Sequence, residues 1–314
     1  MRSKMQLTIF QKILVRGNDY KSELRGARLL WAIISFVLLL CLPGYAQPLS
    51  RELKISIFPC TDAANSFRKF HPLVAYLQQS SGLNISLVFH DDLAGYERAL
   101  KNGSLDFVIQ DPHVYVKLAD KYSNAYILQA LTLDKETTQS GVIIVRKDSG
   151  LKHILELKGK TVMFGSKLSS PRWIAARHLF EKNGLQIDRD LLDYSNKGCC
   201  EDVAFNVFLN VVDAGVVCDH FLQEHGGRQS ELGLDVGQLV VIAATDPVPT
   251  KIFSGSKYVR IDDMVMMTRA LMHLDLQDSE HRRILESADL GGFRKASAQD
   301  LSQIRKSLTR MQID

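Results

Sequence analysis

The densest run of donor groups is Gly165-Ser166-Lys167-Leu168-Ser169-Ser170-Pro171-Arg172. It follows the apolar stretch Thr161-Val162-Met163-Phe164, which reads as a strand, and it leads into a helical pattern over 171–183. Pro171 suits the first helical position, where its missing N–H is no loss, and Ser170 is then the expected N-cap. Hydroxyls and unbonded backbone N–H groups therefore gather where a strand ends and a helix begins. Such a terminus carries partial positive charge and binds anions, and in open α/β sheets ligands sit at the carboxyl ends of strands. The bland alternative is plain capping of a surface helix. Arg172 could add a bidentate charge-assisted contact to an oxyanion, or be a solvated arginine of the first turn.

The cysteines form a second group: Cys60, the adjacent Cys199-Cys200, and Cys218, with Cys41 further upstream. In an exported chain these could close one or two disulfides. They could also offer soft thiolate ligands to a thiophilic metal or metalloid, although their spacing is not that of a zinc finger or ribbon. Enzyme signatures are missing: there is no H-E-x-x-H, no G-x-S-x-G and no P-loop. Ser169, Ser170 and His178 are close in sequence, but His178 falls within a predicted helix and no orienting acid is evident. A Cys200–His113 nucleophile pair stays open at this stage. The expectation is a binding protein, not an enzyme, with no cofactor and no resident metal.

The elements that must position these groups alternate. Strand patterns at 53–58, 84–89, 105–109, 126–131 and 141–146 enclose helical patterns at 65–80, 94–102 and from Pro112. A second series has strands at 161–164, 212–217 and 238–244, with helices at 171–183 and 202–211, and a mostly helical tail over 260–310. Two such series in 314 residues imply two α/β lobes with mainly parallel sheets. No internal repeat is found.

The first segment stands apart. Arg2, Lys4, Lys12, Arg16, Lys21, Arg25 and Arg28 precede the apolar run Leu29–Leu42, broken only by Ser35, and then Pro43-Gly44-Tyr45-Ala46. This is the pattern of a secretory signal cut after Ala46, and the apolar run is shorter than a membrane span needs. An uncleaved anchor is the alternative. The leader holds seven basic and two acidic residues, so the net charge of +4 for the whole chain becomes −1 for the remainder. Nothing in that remainder reads as a nucleic-acid face.

Ile55-Ser56-Ile57-Phe58-Pro59, His71-Pro72-Leu73-Val74-Ala75-Tyr76-Leu77, Asp92-Leu93-Ala94-Gly95 and Gly103-Ser104-Leu105-Asp106 occur in that order. They are followed by Ile143–Arg146 with Lys147-Asp148-Ser149, Glu156-Leu157-Lys158-Gly159-Lys160, the serine-rich loop, and Val212-Asp213-Ala214-Gly215. In order and spacing the chain resembles, over about residues 52–300, the periplasmic phosphate/phosphonate-type solute-binding proteins of ABC transporters. The resemblance implies two Rossmann-like lobes with a hinge and an interlobe cleft, the type II periplasmic-binding-protein fold. Residues 1–46 would be the signal peptide, 47–145 the first lobe, 146–240 the second, and 241–314 a return to the first with C-terminal helices. It implies ligand contacts from Cys60, Thr61, Gln110 and Asp111 on one lobe and Ser169, Ser170, Arg172, Cys200 and Glu201 on the other. Glu201 would suit a cationic group on a zwitterionic ligand, or serve as a favourable acid in a first helical turn. The implied partners are a small oxyanion and a transporter permease, with a membrane sensor kinase as the alternative. Departures are visible: the family's Ser-Thr-Ser-Gly loop is Ser169-Ser170-Pro171-Arg172 here, and its aromatic after the third strand is Gln110.

Overall fold

The computed structural model describes residues 51–57, 63–90, 93–123, 125–167, 169–224 and 233–310. The leader, Cys60 and Thr61 lie outside the described residues. The chain runs β1 (Leu53–Ile57), α1 (Ala63–Ser81), β2 (Ile85–Val88), α2 (Leu93–Lys101), β3 (Phe107–Gln110), α3 (Pro112–Lys117), β4 (Leu128–Leu131) and the short β5 (Thr138–Gln139). It continues through β6 (Gly141–Arg146), β7 (Thr161–Phe164), α4 (Ala176–Lys182), α5 (Ile187–Asp190), β8 (Asp193–Asn196), α6 (Cys200–Phe208), β9 (Ala214–Cys218) and α7 (Phe221–Glu224). Then come β10 (Leu239–Ala244), β11 (Val248–Pro249), β12 (Ile252–Gly255), α8 (Ile261–His273), α9 (Ser279–Ser287), β13 (Gly292–Lys295) and α10 (Ala298–Arg310).

Two sheets result, a six-stranded one in the order β13-β4-β12-β3-β1-β2 and a five-stranded one in the order β10-β6-β9-β7-β8. Each has a parallel half, β2-β1-β3 and β8-β7-β9. The expected mainly parallel sheets are thus only half realised. In each sheet the strand that brings the chain across from the other, β6 or β12, runs antiparallel to its neighbours. A chain that arrives from the far side of a sheet enters it in the opposite direction. The crossings lie at 132–140 and 245–251, and β5 pairs with β11 between them, Gln139 opposite Val248. The crossings therefore precede the expected first boundary and follow the second, because β6 and β10 both pair within the second sheet.

Both sheets are covered on both faces. In the first, Ile55 and Ile57 pack with Phe70, Leu73 and Leu77 of α1 and with Met267 and Leu271 of α8. On its other face Val108 meets Tyr96, Leu100, Val114 and Tyr115. In the second, β6 sends Ile143 and Val145 to one side and Val142 and Ile144 to the other. That two-sided burial explains the unbroken apolar run of β6. Besides the two-residue β5 and β11, three strands escaped the sequence pattern. β8 is the polar edge sequence Asp193-Tyr194-Ser195-Asn196, while β12 and β13 are only four residues each, inside stretches with no alternation.

Among the described residues no helix is long and apolar enough to cross a membrane.

Candidate functional site

The second sheet presents β7 and β9 side by side and parallel, and the segments after both strands reach one cavity. Phe164, the last residue of β7, is fully buried and makes edge contacts with Trp173 and Phe180. Trp173 stacks on Tyr194. This aromatic group fixes the ends of the serine-rich loop.

The loop differs from its sequence reading in one respect. The cap is Ser169, not Ser170: Ser169 Oγ accepts from the backbone N–H of Arg172 at 3.3 Å. The first turn, Ser170–Ala175, is a π-helix in which the Ile174 N–H reaches Ser169 O at 3.2 Å. Pro171 has no N–H to give, which fits a wider opening turn. Ser170 instead reaches the first lobe. Its N–H donates to Asp111 Oδ1 at 3.3 Å, and its Oγ lies 3.1 Å from His113 Nδ1. Those two contacts join the lobes directly. His113 thereby has a serine for a partner, so the Cys200–His113 pair does not form. Burial lowers the His113 pKa, against the nearby charge of Asp111.

Arg172 is the principal finding of the site. The solvated-arginine reading does not hold, because the residue is only 2% exposed. Its Nη1 donates to Gly198 O at 3.1 Å, just ahead of α6. The guanidinium lies against the backbone of Gly165, where an added Cβ would stand 2.5 Å from Arg172 Cζ. Glycine at 165 is thus required for the arginine to lie flat in the wall.

The α6 N-terminus supplies the next part. Cys199 is its N-cap, and its backbone N–H donates to Asp202 Oδ2 at 2.9 Å. Cys200 is the first helical residue, and its Sγ accepts from the backbone N–H of Cys218 at 3.3 Å. The Cys218 thiol hydrogen-bonds to the same sulfur, and with Arg172 nearby the Cys200 thiol is held down to about 6. Cys218 shifts upward in consequence. Cys199, buried and beside Glu201 and Asp202, is also pushed up. All three are free thiols. Among the described residues no group of three His, Cys, Asp or Glu side chains is placed to hold a metal ion.

These groups line one cavity of about 70 Å³ between the two sheets. Its second-lobe wall includes Ser169, Arg172, Cys199, Cys200, Glu201 and Cys218. The first-lobe wall includes Ser66, Lys69, Phe70, Asp111 and Asp289, and Lys251 and Gln139 come from the crossing segments. Lys69 and Asp289 form an ion pair.

Of the residues expected in the cleft, Asp111, Ser169, Arg172, Cys200 and Glu201 line it. Ser170 faces the first lobe from the cavity's edge. Gln110 is fully buried elsewhere: its Oε1 accepts from Tyr96 OH at 2.6 Å and Tyr122 OH at 2.8 Å, so it belongs to the core of the first lobe. Sequence reasoning missed Lys69 and Lys251. Ser66, Lys69 and Phe70 share one helical face, which was legible; Lys251 precedes β12, a strand that was not read.

Residues 55–301 match the family described as "ABC transporter, phosphonate, periplasmic substrate-binding protein". Similar solved structures include PhnD1 from Prochlorococcus marinus in complex with methylphosphonate, at 16% identity and TM-score 0.70, covering 83% of this chain and 98% of that one. The binding-protein component of an ABC phosphonate transporter from Pseudomonas aeruginosa gives TM-score 0.68 at 16% identity, over 83% and 87%. A chloride-bound protein from Xanthomonas citri gives TM-score 0.65 at 16% identity, over 83% and 98%. The fold is that of type II periplasmic binding proteins, and the chain belongs to the family of periplasmic substrate-binding proteins of ABC phosphonate transporters.

Proposed function

We propose that this protein captures a small oxyanion of the phosphonate or phosphate class between its lobes and hands it to the permease of an ABC transporter. The observation that carries the reading is Arg172, a permanent cation almost wholly withdrawn from water in the wall of a cavity of this size. Its planar fork of donors shares that wall with Ser169 and the α6 N-terminus, a donor set suited to an oxyanion. Lys251 adds positive charge to the same cavity, and the α6 N-terminus adds partial charge. The lobes close on the ligand through the Asp111–Ser170 and His113–Ser170 contacts, and the hinge is the β5–β11 ladder with its flanking segments. The leader directs export and is removed after Ala46, leaving the binding protein in the periplasm.

Methylphosphonate and phosphate present the oxygens that this donor set would meet. Glu201 also allows a short aminoalkylphosphonate, whose ammonium group it would face. The test is a melting-temperature screen with phosphate, methylphosphonate, 2-aminoethylphosphonate, sulfate and a neutral sugar. A ligand that binds only the folded state raises the melting temperature with its concentration over Kd. At least one phosphorus oxyanion is expected to stabilise and the sugar to have no effect. Stabilisation by the sugar alone, or by none of the anions at millimolar concentration, would overturn the reading.

A further inference from the structure

We propose that Cys200 and Cys218 form a reversible dithiol–disulfide pair in the cavity wall, and that its redox state sets how tightly the cavity holds an anion. The second half rests on the anion-binding reading above; the first does not.

The geometry already brings the two residues together. Cys200 opens α6 and Cys218 ends β9, and the helix lies close on the strand because residue 215 is glycine: a Cβ there would stand 2.4 Å from Val203 Cγ1. The Cys218 backbone N–H donates to Cys200 Sγ at 3.3 Å, which sets the two residues side by side. With ordinary bond lengths the Cα atoms then lie no more than about 7.6 Å apart, so at most a small shift of the α6 N-terminus brings them within the roughly 7 Å that a disulfide spans. Cys199 is turned away, its Sγ 3.2 Å from Asp202 Oδ2. Cys200 and Cys218 are both only partly buried and both line the cavity, so a small reagent can reach them.

The oxidant is a disulfide, either a small-molecule disulfide or a thiol–disulfide exchange protein. The Cys200 thiolate attacks one of its sulfurs and expels a thiolate, forming a mixed disulfide. Cys218 then loses its proton to the medium and attacks Cys200 Sγ, expelling the second thiolate. The net change is two protein thiols and one oxidant disulfide converted to one protein disulfide and two oxidant thiols. The low thiol pKa of Cys200 suits it to the first step.

The consequence is electrostatic. The groups facing the pair are Arg172 from the loop after β7, Glu201 from α6 itself and Lys251 from the second crossing. In the reduced protein a thiolate at Cys200 occupies part of the field of Arg172 and repels an incoming anion. The disulfide is neutral, and the arginine field is then directed at the ligand.

The experiment has two arms. In the first, the purified protein is equilibrated with glutathione at graded ratios of reduced to oxidised, alkylated and mapped by digestion and mass spectrometry. A 200–218 link is expected, in the wild type and in Cys199→Ser alike. Cys200 remaining alkylatable throughout, or linking to Cys199 or Cys60, would overturn the pair. In the second arm, methylphosphonate and phosphate affinities are measured for both forms from pH 5 to pH 8. The oxidised form is expected to bind roughly three- to tenfold more tightly at pH 8, with the difference vanishing at pH 5. Reduced Cys200→Ser is expected to match the oxidised wild type. Equal affinities at pH 8 would refute redox control. Failure of both forms to bind either anion would sink the affinity effect together with the functional reading, while the mapped link stands or falls separately.

Discussion

The two walls of the cavity are built on different principles. The second-lobe wall concentrates charge. Arg172 is held flat by Gly165 and Gly198, the α6 N-terminus stands beside it, and the Cys200 and Cys218 thiols lie near it. The first-lobe wall is nearly neutral by comparison. Its lysine at 69 is paired with Asp289, and its carboxylate at 111 is engaged by the backbone of Ser170. Where the family has an aromatic after the third strand, Gln110 points into the core and is held by two tyrosines. The contrast suggests a division of labour: the second lobe selects and holds the anion, and the first lobe closes over it.

Substitutions on the two walls should therefore fail in different ways. The largest effect is expected at Arg172. Arg172→Lys removes the planar fork but keeps the charge, and methylphosphonate affinity measured by calorimetry should fall on the order of 100-fold, equivalent to about 2.7 kcal/mol. A fall of less than threefold would put selection elsewhere. Next is Gly165→Ala. The new methyl group would displace the guanidinium, so affinity should drop about tenfold and stability by about 1–3 kcal/mol in a urea melt. Unchanged affinity would mean that the flat placement of the arginine is irrelevant.

Changes at the contact between the lobes and within the first lobe should be milder. Ser170→Ala deletes the hydroxyl that meets His113 but keeps the N–H to Asp111, and should weaken binding about fivefold through loss of roughly 1 kcal/mol from the closed form. Scattering measurements should show a larger open fraction with ligand bound; an unaltered profile would remove Ser170 from closure. The same contact carries a pH dependence. Burial lowers the His113 pKa from its ordinary 6.5, so the closed form is favoured in full above that value and loses stability as pH falls through and below it. The affinity of His113→Gln should fall less than that of the wild type between pH 7 and pH 5. A parallel decline in both would exclude His113 as the source. Smallest for binding is Tyr96→Phe, which removes one buried donor from Gln110: about 1 kcal/mol of stability should be lost with Kd unchanged. A shift in Kd would return Gln110 to the site.

The fold was legible where burial imposes a period. β1, α1, β6 and β7 emerged nearly at their observed limits because one or both faces are apolar throughout. β8, β12 and β13 did not, being short, polar or at sheet edges, where the partner strand rather than local sequence decides pairing. The site was legible in chemical type but not in detail. The loop at 165–172 showed its donors and a helix start, yet nothing local revealed that Arg172 would be buried, since that depends on the fold of the loop back onto its own Gly165 and on Gly198 ahead of α6. Likewise Asp111 and Ser170 are 59 residues apart, and only the closed arrangement of the sheets joins them. The cysteines were visible as a group, but the choice of Cys218 over Cys199 as partner for Cys200 follows from Gly215 and the close approach of α6 to β9.

The most direct measurement is a crystal structure of the protein soaked in methylphosphonate. The anion is expected between the two sheets, with its oxygens within hydrogen-bonding distance of the Arg172 guanidinium and of the loop at Ser169. Anion density confined to the outer surface, or a saturated crystal whose cavity holds only water, would contradict the account.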